Sequence, residues 1–187
     1  MSFIEQIKPD WSLFLDRDGV INVRPVNDYV KCWSDFEFLP GAIEAIASLS
    51  GYFHLVFVVT NQQGVGKGLM KPEALQEIHS NMMKHINEAG GRLTRIYSCT
   101  CLQNTFPDCR KPSPFMANQA KVEFPQINFR HSVMVGDTLT DMQFGKNSGM
   151  HTVLVSSDET NIEADLIVSD LMELAELISK QQKKSSK

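Results

Sequence analysis

No stretch of the chain approaches the roughly 20 consecutive apolar residues that cross a bilayer. The opening segment, Met1 to Asp10, carries charges at Glu5, Lys8 and Asp10 and lacks a signal-like apolar run. A cytoplasmic protein with no membrane partner is expected. A charge excess is missing too: 18 Lys and Arg stand against 22 Asp and Glu, net −4, which gives nucleic acid no basic surface to hold. Cysteine is sparse. Of four residues (Cys32, Cys99, Cys101 and Cys109), three crowd between positions 99 and 109, which looks less like a disulfide framework than like reduced thiols, with metal ligation as the alternative. Internal repeats and linkers are absent. What is present, 42% hydrophobic and 21% charged residues over 187 positions, predicts one globular domain over residues 1–180 and a frayed basic tail over 181–187.

The chain is organised around Leu13-Phe14-Leu15-Asp16-Arg17-Asp18-Gly19-Val20. Three apolar residues that read as the end of a buried strand run straight into two carboxylates and a glycine. Such a terminus can hold a divalent cation and leave a carboxylate oxygen to attack an electrophile; Asp and Gly also simply cap turns. Downstream, strands alternate with helices. Strands are expected over Ser12–Asp16, His54–Thr60, Arg95–Cys99, Ser132–Val135, Thr152–Val155 and Leu166–Val168. Helices are expected over Ala42–Leu49, from Pro72 until Gly90-Gly91, over Phe115–Val122 and Leu139–Asn147, and around Leu171, Leu174, Ala175 and Ile178. This alternation predicts an α/β fold of Rossmann type, a three-layer sandwich with a central parallel sheet.

Ligands of such sheets bind beyond the carboxyl ends of the strands. Three predicted strands end there in polar residues: Asp16 and Asp18, Thr60 and Asn61, and Asp137. The carboxylates would share a cation, Mg²⁺ by the preference of oxygen sites, while Thr60 offers a hydroxyl to an anion. Arg110 and Lys111, in the loop after the third strand, supply the positive charge that clustered acids require. Gly64, Gly66 and Gly68 lack the Gly-Lys-Ser/Thr ending of a nucleotide-binding P-loop and read as a flexible edge of the anion site. Of the histidines, His79 and His85 are expected in solvent; His54, His131 and His151 are expected to pack or cap.

Asp16-Arg17-Asp18-Gly19, Thr60-Asn61, Arg110-Lys111-Pro112 and Gly136-Asp137 with Asp141 resemble, in order, the four signature motifs of the haloacid dehalogenase superfamily. Asp28-Tyr29-Val30, Phe36-Glu37-Phe38 and Cys-Arg-Lys-Pro are similar to its histidinol-phosphate and D-glycero-D-manno-heptose 1,7-bisphosphate phosphatases. The resemblance implies Asp16 as nucleophile, forming an aspartyl-phosphate. It implies Asp18 as general acid and base, with a carboxyl raised enough to hold a proton. Mg²⁺ would be held by the Asp16 carboxylate, the Asp18 backbone carbonyl and Asp137. Thr60, the Asn61 backbone and Lys111 would hold phosphoryl oxygens, Arg110 would reach a second group of the substrate, and Asp141 would orient Lys111 or a metal-bound water. For Asp141, a solvated acid complementing a helix dipole is the competing reading.

Asp16 to Thr60 spans 44 positions and Thr60 to Lys111 spans 51, and the predicted elements consume both, so no folded cap domain is expected. The site would be open, roofed by Asn22–Glu37 and Cys101–Cys109, with Asp28 and Tyr29 as substrate contacts or ordinary turn residues. Two features depart from the resemblance. The related zinc loop has a histidine at its second ligand; here Cys99, Cys101 and Cys109 are the available zinc ligands and Pro107 stands at the third position, so Zn²⁺ competes with three cysteines packed as small apolar groups. Thr138 stands where many heptose phosphatases have lysine. The expected activity is hydrolysis of a small phosphorylated metabolite, a heptose 1,7-bisphosphate ahead of histidinol phosphate, by a monomer or small homo-oligomer. A catalytically dead binding module is the reading from another class.

Overall fold

The computed structural model describes residues 3–103, 105 and 108–185. Its central feature is β1 (Ser12–Leu15), inner strand of a six-stranded, all-parallel sheet of order β3-β2-β1-β4-β5-β6. The other strands are β2 (Leu55–Asn61), β3 (Arg95–Cys99), β4 (Ser132–Gly136), β5 (His151–Val155) and β6 (Leu166–Val168). Leu13 lies in register with Val56 on one side and Val133 on the other.

Strand periodicity distributes these residues between two cores. Leu13, Leu15, Val56, Val58, Val133 and Val135 face the layer built by α1 (Ala42–Leu49), α3 (Pro72–Glu88) and α6 (Leu171–Ser185), meeting Ile46, Ile78, Met82 and Leu174. Phe14, Phe57, Val59 and Met134 face α4 (Phe115–Glu123) and α5 (Leu139–Ser148), meeting Met116, Ala117 and Phe144. Truncating such a core residue, Leu13→Ala for example, costs about 2–5 kcal/mol. The expected three-layer sandwich is therefore present. Its continuous apolar runs at β1, β2 and β4 follow from helices covering both faces.

From β1 the chain steps outward through α1 to β2 and through α3 to β3; after α4 it returns to β4 and steps the other way through α5 to β5. The order reverses between β1 and β4, and the crevice beyond their carboxyl ends is where such sheets bind ligands. Between β1 and α1 the chain is tied by bridges pairing Asp18 with Asn22 and Asn22 with Phe38. Only α2 (Gln63–Gly66), a single turn inside the glycine-bearing loop, and α3 separate β2 from β3. Among the described residues no folded cap covers that edge.

Two expectations change. The last helix runs to Ser185 instead of fraying at 181, with Lys183 and Lys184 complementing the dipole of its final turn and Gln182 donating to the Ile7 carbonyl at 2.9 Å. His85 is exposed as expected, with its ring 5.2 Å from that of Trp33 and 6.0 Å from that of Phe38, which meets Phe36 edge to face. The Phe36-Glu37-Phe38 segment thus serves packing. His79, by contrast, is turned inward, toward Arg17. His131 and His151 pack as expected, each stacked 5.4 Å from Trp11. No described helix is long and apolar enough to cross a membrane.

Candidate active site

The loop after β1 is built by its own backbone. The Arg17 carbonyl accepts N–H groups from Ile21 and Asn22 at 2.8 and 3.1 Å, and Gly19 donates to the Asn22 carbonyl at 2.7 Å. Gly19 has φ +89°, and a Cβ there would run into the Asp137 carboxylate. Glycine is thus required both for the turn and for the approach of the two strand ends. Gly136 is constrained in the same way by the Asp141 side chain.

Residues 16, 111, 137 and 141 converge as the sequence predicts. Asp16 Oδ1 accepts the Arg17 N–H at 2.7 Å and lies 2.7 Å from Lys111 Nζ. The same ammonium stands 2.6 Å from Asp141 Oδ1 and donates to the Val59 carbonyl at 2.9 Å. Asn61 clamps the lysine in place: its amide oxygen accepts the Lys111 N–H at 2.9 Å and its NH₂ donates to the Lys111 carbonyl at 3.3 Å. Asp141 is fully buried rather than solvated, and its Oδ2 accepts the Thr138 N–H at 3.0 Å, capping α5. It therefore pairs with Lys111 and caps the helix from a buried position, which corrects the solvated alternative.

Carboxylate oxygens of Asp16, Asp137 and Asp141 lie within 4.8 Å of one another, an all-oxygen set that suits a hard divalent cation. Burial and the neighbouring Asp141 push the Asp16 carboxyl up to about 7, against the pull of Lys111. Burial likewise raises Asp137, opposed by Arg24. Burial alone would lower Lys111, but Asp16 and Asp141 hold it above the ordinary lysine range. Acids raised this way are acids short of positive charge, and the site fits the metal that the sequence implies.

Sequence reasoning missed the residue that answers this shortage. Arg24 donates to Asp137 through Nε at 3.0 Å and Nη2 at 2.6 Å, to the Asp18 carbonyl at 2.6 Å and to Asp16 Oδ2 at 3.4 Å. It sits in an irregular polar stretch with no periodicity to mark it. Its cationic character in an otherwise acidic corner is the one signal that was available.

Asp18 corrects a second expectation. Burial acts to raise its carboxyl, but Arg17, whose Nη2 donates to both carboxylate oxygens at 3.0 and 3.1 Å, together with Asn22 at 2.9 Å and Gln62 at 2.8 Å, holds it below the usual carboxylate range. Arg17 is itself fully buried, and its Nη1 lies 3.2 Å from His79 Nε2. Burial and that guanidinium push His79 down to about 3, so the ring is neutral and accepts the bond.

The cleft above these groups, about 520 Å³, is lined also by Thr60, Asn61, Arg110, Thr138 and Thr140, and on its open side by Asp28, Tyr29 and Lys67. The Thr60 hydroxyl accepts from Gln62 at 2.8 Å. Tyr29 packs against Gly64, and its hydroxyl accepts from Lys67 at 3.1 Å. Asp28 pairs with Lys31 at 2.8 Å. Of the Cys101–Cys109 loop, no described residue lines the cleft, which leaves its open wall to Arg24, Pro25, Asn27, Asp28, Tyr29, Lys67, Leu69 and Arg110.

The zinc expectation is corrected. The sulfurs of Cys99, Cys101 and Cys109 cluster, but Cys99 and Cys109, with Cα atoms 5.5 Å apart, form a disulfide, which also replaces the expected reduced thiols. Cys101 remains a free thiol. With two thiolates consumed, the four protein ligands of a structural zinc cannot be assembled from this loop. Pro107 lies outside the described residues.

A buried carboxylate facing a fixed ammonium beside a cluster of acids of a kind that suits a divalent cation is equipped to accept and release a phosphoryl group, and the class it defines is a phosphoric monoester hydrolase. The HAD-hydrolase-like family model matches residues 108–174. D-glycero-alpha-D-manno-heptose-1,7-bisphosphate 7-phosphatase of Mycobacterium tuberculosis is 38% identical over 143 residues, 76% of this chain and 75% of that one. D-glycero-beta-D-manno-heptose-1,7-bisphosphate 7-phosphatase of Pseudomonas putida is 35% identical over 170 residues, 87% and 96% of the two chains. The crystal structure of the D,D-heptose 1,7-bisphosphate phosphatase of B. bronchiseptica complexed with magnesium and phosphate superposes with a TM-score of 0.84 at 28% identity, over 91% of this chain and 99% of that one. The chain belongs to the haloacid dehalogenase-like hydrolase family, beside these heptose bisphosphate phosphatases.

Proposed function

We propose that this enzyme removes the 7-phosphate of a D-glycero-D-manno-heptose 1,7-bisphosphate, with Mg²⁺, through an aspartyl-phosphate on Asp16. The observation that carries the reading is the Asp16 carboxylate itself, buried at the cleft floor between Lys111 at 2.7 Å and Arg24 at 3.4 Å. The names of the relatives supply the sugar. Mg²⁺, held by the Asp16 carboxylate, the Asp18 carbonyl and Asp137, supplies charge neutralisation for the phosphoryl group.

Asp16 attacks phosphorus, the bond from phosphorus to the sugar oxygen breaks, and Asp18 donates its proton to the leaving alkoxide. Asp18 then takes a proton from the water that attacks the aspartyl-phosphate, releasing phosphate and restoring Asp16. Asp18 is ionised in the free site, ready for the second step. A phosphate dianion arriving in the cleft is a like charge, which raises Asp18 toward the protonated form that the first step uses. Lys111, fixed by Asn61 and Asp141, and Thr60 hold phosphoryl oxygens, while Arg110, Asp28 and Tyr29 meet the rest of the sugar at the open side.

Phosphate release from the heptose 1,7-bisphosphate and from histidinol phosphate, by wild type and Asp16→Asn, tests the proposal. The bisphosphate is expected to show the higher kcat/KM and the variant a loss of at least about 10³-fold. Equal, very low kcat/KM on both substrates would sink the choice of sugar. Equal release by wild type and variant would show that the chain is a binding module.

A further inference from the structure

The guanidinium of Arg24 reaches three oxygens of separate origin: the Asp137 carboxylate, the Asp18 backbone carbonyl and Asp16 Oδ2. These are the same three groups that the proposed metal position requires. We propose that Arg24 is a resident cation that Mg²⁺ must displace, and that the displaced guanidinium stays at the cleft wall to bind an anionic group of the substrate. The inference rests on the metal assignment under the proposed function and extends it to a residue with no role there.

Charge makes the placement intelligible. Three carboxylates within 4.8 Å of one another need a counter-charge. Lys111 is engaged by Asp16 and Asp141, and the ion pair of Asp137 is with Arg24. Metal and guanidinium exclude each other, because an oxygen coordinating Mg²⁺ at about 2.1 Å leaves no room for an N–H donor on the metal's side, and the two cations repel at that separation.

The anchoring of the arm decides what moves. Around the preceding residue the backbone is fixed: Val23 donates to the Glu37 carbonyl at 2.8 Å and accepts from the Asn22 side chain at 2.8 Å. The Arg24 side chain is 45% exposed, so releasing it uncovers little packed surface, and the residue already lines the cleft. Displacement is thus a rotation of one side chain toward the space an anionic substrate enters. Metal and anion then assist each other, since each favours the arrangement in which Arg24 has left the acids.

Calorimetric titration of the metal-free full chain with Mg²⁺ alone tests the competition. Arg24→Gln is expected to bind Mg²⁺ about tenfold more tightly than wild type, with Arg24→Lys in between. In chelator the Arg24→Gln protein is expected to melt lower than wild type, and to gain more from added Mg²⁺. Inorganic phosphate is expected to strengthen Mg²⁺ binding more in wild type than in Arg24→Gln. Equal or weaker Mg²⁺ binding by Arg24→Gln would overturn the displacement, and equal enhancement by phosphate would overturn the anchoring role. Absence of Mg²⁺ binding in every protein would instead remove the metal assignment on which the inference stands.

Discussion

Lys111 Nζ stands 2.6 Å from Asp141 Oδ1 while the other oxygen of that carboxylate caps α5 through the Thr138 N–H at 3.0 Å. One buried acid thus fixes both the Lys111 ammonium and the start of a helix. Asp141→Ala is expected to cost about 3–5 kcal/mol, the range for breaking a buried ion pair from one side. It should lower phosphate release about 10–100-fold by freeing the ammonium. Asp141→Asn, which keeps an acceptor for Thr138, should lose less stability. Thermal melts beside steady-state kinetics measure both effects, and an unchanged melting temperature for Asp141→Ala would refute the structural half.

His79 predicts an acid-labile component of stability. Its folded-state value near 3 lies below the ordinary 6.5, so between these values the unfolded chain binds the extra proton. Stability from this group is present above about 6.5 and is lost as pH falls toward 3, with a slope of up to about 1.4 kcal/mol per pH unit. His79→Gln keeps an acceptor for Arg17 and does not titrate. The difference in melting temperature between wild type and variant should change between pH 7.5 and 4.5 in favour of the variant; a constant difference would contradict the assignment.

At Gly19 the backbone and the acid cluster make opposing demands on any other residue. Gly19→Ala is expected to cost about 1 kcal/mol from the left-handed backbone alone. It should weaken Mg²⁺ binding further, because the added methyl occupies the place of the Asp137 carboxylate. Melting curves and metal titration separate the two losses, and metal affinity equal to wild type would refute the second.

Alkylation without reductant, followed by intact mass, reports on the cysteine loop. Two adducts are expected, at Cys32 and Cys101, because Cys99 and Cys109 are joined. Four adducts, or about one equivalent of zinc in freshly purified protein, would contradict this.

The strands and long helices were legible because their periodicities are carried by consecutive residues: Leu13 to Leu15, Val56 to Val59, and Leu75, Ile78, Met82 and Ile86 repeat with the period of the element they form. The acid and lysine positions were legible because strand ends in a parallel sheet share one edge, so residues as distant as Asp16 and Asp137 needed no contact prediction. Three features were not, each for a tertiary reason. Arg24 comes from an irregular segment and earns its position only from oxygens it meets across the seam. The charge state of Asp18 is set by Arg17, Asn22 and Gln62, and that of His79 by its approach to Arg17 from α3. The disulfide depends on the separation of two backbones that spacing along the chain leaves open.

The missing cap has a kinetic consequence. The described cleft is walled by individual side chains, among them Arg24, Tyr29, Lys67 and Arg110, with no hinged cover to swing aside before the dephosphorylated sugar departs. Solvent thickened with sucrose should therefore slow kcat/KM only as far as encounter limits it and leave kcat nearly unchanged, the signature of an enzyme whose clock is set by bond making rather than by opening.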